Sequence, residues 1–594
     1  MTQPIEDYAL LSNSRTCALV GKDGSIDWLC LPRFDSPSAF GALLGTPDHG
    51  RWLLRPEDPD ATLERHYLTD TFTVVNTWTT KEGVVEVLDT MPRTRGHIDV
   101  LRQVRGIRGT VPMRQEIRIR FAYASALPWV RQIEEDGSPA LLAVCGPDAI
   151  IVRGPRLNAR NHLHESLFSV GEGEVQRISL SWFPSNEQAP PRPDGDSAFI
   201  ASGQWWSNWA ATCEHDGPYR DQVVRSLLVL RALTHEETGG IVAAATTSLP
   251  EQLGGPRNWD YRYVWLRDAS LTLQALLAHG YSEEAMTWRE WLLRTIAGDP
   301  ADVQIMYGVA GERYIPEREI ASLPGYADSR PVRVGNAAVD QYQADVIGEV
   351  MVALHEARKA GVIDTQFSWP LQRALIGFVE SNVARKDQGL WEMRGEPHYF
   401  THSRVMMWAA LDRAIMASAE FSVPGPRERW KTLREQLRTE IDAKGVDPVR
   451  GCFVQYYGTT EVDASLLLLP EVGYCAFDDP RMLATVAAIE SDLMNDGLVH
   501  RYRTEANVDG LPPGEFPFLA CSFWLVRQYA KTARLSEARA LMDRLVGYCS
   551  DLGLLAEEID PATGAHVGNY PQAFSHLALV GAADAIAEAE QQGR

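Results

Sequence analysis

The stretch SNEQAPPRPDGD, residues 185–196, divides the chain into two parts of different character. Its prolines can continue neither a helix interior nor a central strand, and the flanking Asn, Asp and Gly favour turns. Upstream, the signals are those of antiparallel strands. VPMRQEIRIRFAYA (111–124) alternates, with Ile117, Ile119 and Phe121 on one face and Arg118 and Arg120 on the other. GVVEVLDTM, DAIIVRGP and EVQRISLSWF are short, rich in β-branched residues and bounded by turn formers. Residues 1–200 are therefore expected to form a large antiparallel sandwich.

Downstream, the apolar period becomes that of helices. Residues 201–235 read as a linker running into a first helix, and 218–594 as one helical domain. Twelve helical segments are predicted, near 218–235, 268–279, 281–297, 338–359, 364–384, 403–422, 425–443, 459–470, 480–492, 516–532, 535–551 and 571–589. The connections alternate between long and short, the long ones near 236–267, 298–337, 385–402, 444–458, 493–515 and 552–570. Six helical hairpins with that alternation describe an (α/α)6 barrel whose long loops all emerge at one end. Loops of that length in a compact domain are usually functional, so one site ringed by six loops is expected.

The bulk properties narrow the partner. The 594 residues carry a formal net charge of -22, which disfavours nucleic acid and anionic membrane surfaces. No apolar run is long enough to span a bilayer, and the N-terminus MTQPIEDYALL lacks the basic and apolar regions of a signal peptide. The expected location is cytoplasmic. The eight cysteines are scattered without a CxxC pair and read as buried free thiols. No HExxH or phosphate-binding glycine motif occurs among the residues, so neither a metal nor another cofactor is expected.

The long loops carry the chemistry. RNWDYRYVWLRDAS (257–270) sets four aromatic rings, Trp265 among them, beside Arg267 and Asp268. Flat rings against C–H faces and charged groups for hydroxyls are what a sugar requires. The second loop, IMYGVAGERYIPERE, offers Tyr307. GLWEMRGEPHYFTHSR (389–404) places Glu392 directly after Trp391, with Arg394 close by. A bulky apolar neighbour excludes water, and desolvation raises a carboxyl pKa, as a general acid needs. GLLAEEIDPATGAHVGNYPQAFSH (553–576) supplies Glu557 and Glu558 at the same end of the barrel. A glycosidase uses two carboxyls, one to protonate the leaving oxygen and one to activate water or attack the sugar. Glu396 and Glu558 are competing choices. Gln343, Asp345 and Glu349 could share a face at the barrel mouth, or simply be helix-end polarity.

These segments, with the opening IEDYALLSNSRTCALVGKDGSIDWLCLPRFDSPSAFGALLG and NAAVDQYQADVIGEV, resemble glycoside hydrolase family 15: glucoamylases, glucodextranases and some trehalases. The resemblance covers nearly the whole chain. It implies a β-supersandwich before an (α/α)6 barrel, and hydrolysis of an α-glucoside with inversion to β-glucose. It also implies Glu392 as general acid, Glu557 as general base, and Arg267 and Asp268 as the grip on the terminal glucose. Trp265, Tyr307, Trp391 and Arg394 complete the candidate sugar-binding set. Where relatives often read DVYGE, this chain has Ile347 in Asp345-Val346-Ile347-Gly348-Glu349, removing an aromatic hydroxyl near the mouth.

The expected activity is removal of single glucose units from the non-reducing end of α-gluco-oligosaccharides, with a small carbohydrate as the substrate. The alternatives are a trehalase and, in another reaction class, a disaccharide phosphorylase. A phosphorylase would not need the base carboxylate, so Glu557 favours hydrolysis.

Overall fold

The computed structural model describes residues 3–362, 366–504, 509–512 and 514–593. Up to Pro184 the chain forms two antiparallel sheets joined by one strand, Ile98–Arg118. The first half of this strand pairs with Gly83–Thr90 and Val175–Pro184. Its second half pairs with Arg51–Pro56 and Leu163–Gly171. The transfer falls at an irregularity: Val84 faces Arg108 and Val85 faces Gly106, leaving Ile107 as the extra, exposed residue. Gly109, at φ +67°, supplies the left-handed turn there without a Cβ clash. VPMRQEIR is thus the second half of a longer strand, and Ile117, Ile119 and Phe121 are buried as the alternation requires.

Helix α1 (Gly195–Ala210) lies where a linker was expected. Packing fixes it, because Trp206 meets Phe72 of the sandwich edge-on while Trp209 stacks on Tyr281 of the helical domain. The barrel follows. Its outer layer is α2 (Arg220–Ala232), α4 (Ser282–Thr295), α6 (Ser368–Asn382), α8 (Arg427–Lys444), α9 (Pro480–Asp492) and α11 (Leu535–Val546). Its inner ring is α3 (Leu266–Ala278), α5 (Val346–Lys359), α7 (Thr401–Glu420), a short 3-10 helix (Ala464–Leu468), α10 (Leu519–Lys531) and α12 (Ala573–Gln591). Each inner element packs on the next, and α12 returns to α3 to close the ring.

Two predicted helices are shortened for identifiable reasons. The segment expected at 459–470 is only a 3-10 turn. Asp463 caps its start by accepting from the Ser465 amide, and Pro470 cannot extend an α-helix. The segment expected from 338 begins as the 3-10 turn Ala337–Asp340, and α5 starts at Val346. Between them the Ala344 amide donates to the Asp387 carboxylate instead of to a helical carbonyl. The first positions of the helix expected at 364–384 lie outside the described residues.

All six long connections run from an outer helix to the N-terminus of an inner element, so they gather at one end of the barrel. The sandwich braces three of them directly: the first and the last, described next, and the second, where the Val309 amide donates to Asp35 and the Ser322 hydroxyl to the Tyr123 carbonyl. Arg262 is fully buried between the domains; it donates to both Asp260 oxygens, to the Tyr123 hydroxyl and to the Ser36 carbonyl. Trp28 donates to the Ala245 carbonyl and Tyr570 to the Tyr8 carbonyl. Among the described residues no helix is long and apolar enough to cross a membrane. The eight cysteines are free thiols.

Candidate active site

At the loop end of the barrel lies a cavity of about 750 Å³, counting its open mouth. Five of the six long loops line it; the fourth contributes from behind, where Asp463 accepts the Trp391 indole N–H. The cavity brings together Trp265, Arg267, Asp268, Trp391, Glu392, Arg394 and Glu557, which are nearly 300 residues apart at the extremes.

Glu392 stands on the third loop. Its carboxylate accepts the Trp265 indole N–H. Burial raises its pKa above the ordinary value, against the pull of the Arg267 guanidinium and that indole. The Arg267 fork is fixed by Asp268 at 2.8 Å and by the Leu390 carbonyl at 2.8 Å, the residue two before Glu392. Trp391 packs on Phe518 and Trp524, so the wall beside Glu392 is apolar.

Glu557 is fully buried on the last loop, opposite the third. One carboxylate oxygen accepts from the Tyr261 hydroxyl at 2.7 Å, and the other from the Asn569 amide at 3.2 Å. Burial and the neighbouring Glu251 raise its pKa, while Arg501 and the two donors oppose that shift. Asn569 joins loops at both ends of the domain sequence: it accepts from Thr246 and donates to the Trp259 carbonyl. Gly568, at φ +78°, passes so close that a Cβ there would lie 2.6 Å from the Glu557 carboxylate.

Beside Glu557, and lining the cavity through Glu251, Arg257, Arg501 and Asp509, lies a charged network that the sequence did not reveal. Arg257 binds Glu251, Asp509 and Glu515, and Arg501 binds Glu251, Glu515 and Glu558. Glu251 in turn accepts from the Trp259 indole. Glu251, Glu515 and Glu558 could converge on a cation, but two guanidiniums already meet their oxygens. Its members come from loops about 250 residues apart, with no local spacing to betray them.

Several expectations are corrected. Tyr307 does not line the cavity: it is fully buried, its ring against Trp291 and its hydroxyl accepting from the Gln304 amide. It sits in the barrel wall because its strand pairs with Val264 and Trp265. Glu396 is exposed and off the cavity, and Glu558 is directed to Arg501 and the Phe516 amide. Gln343, Asp345, Ile347 and Glu349 are buried and do not line the cavity, so the Ile347 departure lies outside its lining. Arg394 does line the cavity, exposed at its rim, over the Trp259 ring at 4.1 Å and paired with Glu317.

Two carboxyls in one aromatic-lined, arginine-bearing cavity on a six-hairpin barrel have the makings of a glycoside hydrolase site. The comparisons with known proteins agree. The pattern of the glycosyl hydrolases family 15 matches residues 217–584, and that of the trehalase-like N-terminal domain matches residues 1–156. The chain belongs to glycoside hydrolase family 15. It is 37% identical to a trehalase of Mycolicibacterium smegmatis, covering 99% of this chain and 92% of that protein. It is 33% identical to a trehalase of Thermoplasma acidophilum, covering 96% and 98%. A bacterial glucoamylase complexed with acarbose shares the fold, with a TM-score of 0.75 at 13% identity over 98% of this chain and 94% of that one.

Proposed function

We propose that the protein is a trehalase, cleaving α,α-trehalose into two glucose molecules with inversion at the attacked carbon. The observation that carries this reading is the identity of 29–37% to proteins named trehalase along 96–99% of the chain. It moves the trehalase reading ahead of the glucoamylase one expected from the sequence. The cavity supports it physically. Trehalose joins two anomeric carbons, so both sugars must be gripped, and polar groups from the first, third and fifth long loops line the cavity. Arg267, Asp268, Trp265 and Trp391 would hold the attacked glucose; Trp259, Arg394, Tyr502 and Asp509 would hold the leaving one.

In the mechanism proposed, Glu392 protonates the bridging oxygen while Glu557 takes a proton from a water that attacks the opposite face. An inverting site must leave room for that water, so the carboxyls should stand roughly 6.5–9.5 Å apart in the complex. Arg267 and Asp268 fix the sugar hydroxyls as charge develops on the ring, which raises turnover as well as binding.

The test is a panel of trehalose, maltose, isomaltose, dextran and starch, with products followed by proton NMR. Trehalose should be the preferred substrate and give one β- and one α-glucose per bond initially. A higher kcat/KM on maltose or isomaltose would return the assignment to an oligosaccharide glucohydrolase. Glucose 1-phosphate as product would indicate a phosphorylase.

A further inference from the structure

A second cluster lies at the opposite end of the barrel. His215, in the connection between α1 and α2, places Nδ1 3.0 Å from Asp584 Oδ1 on α12. His279, the residue that ends α3, places Nε2 3.2 Å from the same oxygen. The remaining ring nitrogens face backbone carbonyls: His215 Nε2 lies 3.0 Å from the Pro218 oxygen, and His279 Nδ1 2.8 Å from the Ala275 oxygen. A carbonyl only accepts, so each of those nitrogens carries a hydrogen. In the neutral rings, both lone pairs are then aimed at one carboxylate oxygen. Acceptors facing acceptors are repulsive unless something positive lies among them.

Two protons would answer this, and so would one dication, which brings the same charge. The geometry points to a structural zinc site formed by His215 Nδ1, His279 Nε2 and Asp584 Oδ1. Zinc takes nitrogen and carboxylate ligands at about 2.0–2.2 Å, so ligand atoms around a tetrahedral ion stand about 3.3 Å apart. The two nitrogen–oxygen separations here are close to that, and all three atoms lie within 4.8 Å of one another. The back-side hydrogen bonds to carbonyls are those that metal-binding histidines use to fix their tautomer. Two imidazoles select zinc over magnesium or calcium, which prefer oxygen. Both histidines are buried, while Asp584 is partly exposed and borders the central cavity of the barrel, leaving room for water as a fourth ligand.

The ion would pin three elements where the ring closes: the α1–α2 connection, the end of α3, and α12. Asp584 lies eleven residues into α12, about 16 Å along the helix from its start beside the candidate active site. The site is therefore structural, separate from the two glutamates.

The test uses the full chain, stripped with EDTA, supplied with zinc sulfate, desalted and measured by plasma mass spectrometry. One zinc per chain should be retained, falling at least tenfold in His215→Gln/His279→Gln, with trehalose turnover at 25 °C unchanged. Cobalt in place of zinc should give the intense visible absorption of a tetrahedral centre in the unaltered protein, a readout that does not depend on any variant folding. Near pH 6, zinc binding should release more than one proton per ion, because it displaces protons from both rings. Zinc retention equal in wild type and variant, or no retention and no cobalt band in the wild type, would overturn the proposal. In the second case the cluster is a clamp held by protons alone.

Discussion

Glu392 holds a backbone φ of 59°, a left-handed conformation in a residue with a full side chain. That conformation costs about 1–2 kcal/mol in a non-glycine residue, and the surrounding contacts must sustain it. Two consequences can be measured. Glu392→Gln should keep the fold and lower kcat on trehalose by roughly 10²–10⁴, the usual worth of a general acid. α-Glucosyl fluoride, whose leaving group needs less protonation, should be partly spared. Glu392→Gly should remove activity without lowering the urea midpoint, because glycine relieves the strain. Glu557 leads to a pH prediction. Burial and Glu251 raise its pKa, and a base must be ionised to work. Activity is therefore present above that pKa and lost as the pH falls through it, so the acidic limb of kcat/KM should lie above the ordinary glutamate range. Tyr261→Phe removes a donor that favours the carboxylate and should move that limb further up. A limb unmoved in the variant would argue against Glu557 as the base.

At the level of elements, the last loop positions its glutamate by contact with its own return strand. Gly568→Ala would set a methyl 2.6 Å from the Glu557 carboxylate at a φ of +78°, which alanine also tolerates poorly. The expected outcome is a fall in kcat of ten-fold or more, with an unchanged circular dichroism spectrum. The six long loops could be read from the sequence because length and turn composition are local properties. The convergence of Arg267, Asp268 and Glu392 on one cavity could be read as well, since each stands beside aromatic residues on those loops. Tyr307 was misplaced for a complementary reason: whether an aromatic residue faces a cavity or a wall depends on the strand pairing with it, here Val264 and Trp265. The segment expected as a helix over 459–470 failed because Asp463 is committed to Ser465, Trp391 and Gln455, a set of partners invisible from periodicity. Arg257 and Arg501 were missed likewise, since the acids they hold come from distant loops.

For the whole molecule, the sandwich supplies, among the described residues, none that lines the cavity but supports the loops that do. Arg262 is a fully buried cation at that interface, donating to Tyr123 and Ser36 of the sandwich. Removing it by Arg262→Ala leaves Asp260 buried without its partner, a loss of about 3–5 kcal/mol by analogy with other broken buried pairs. Urea unfolding should show that loss, and trehalose turnover should fall as well, because Trp259 and Tyr261 flank Asp260. Unfolding unchanged in the variant would mean that the interface does not depend on Arg262.

Closure of the ring by α12 against α3 also bears on how the chain comes off the ribosome. The sandwich strands all lie before residue 185, so that domain can fold while the rest is still being made. The inner ring cannot. Its first helix waits for its last, and Glu557 emerges only some 290 residues after Arg267. A nascent chain therefore carries every residue of the first five loops without a formed pocket, its apolar inner faces uncovered until synthesis has passed α12. The interval between those two helices is the period of greatest exposure to aggregation, and it is there that a chaperone would have most to protect.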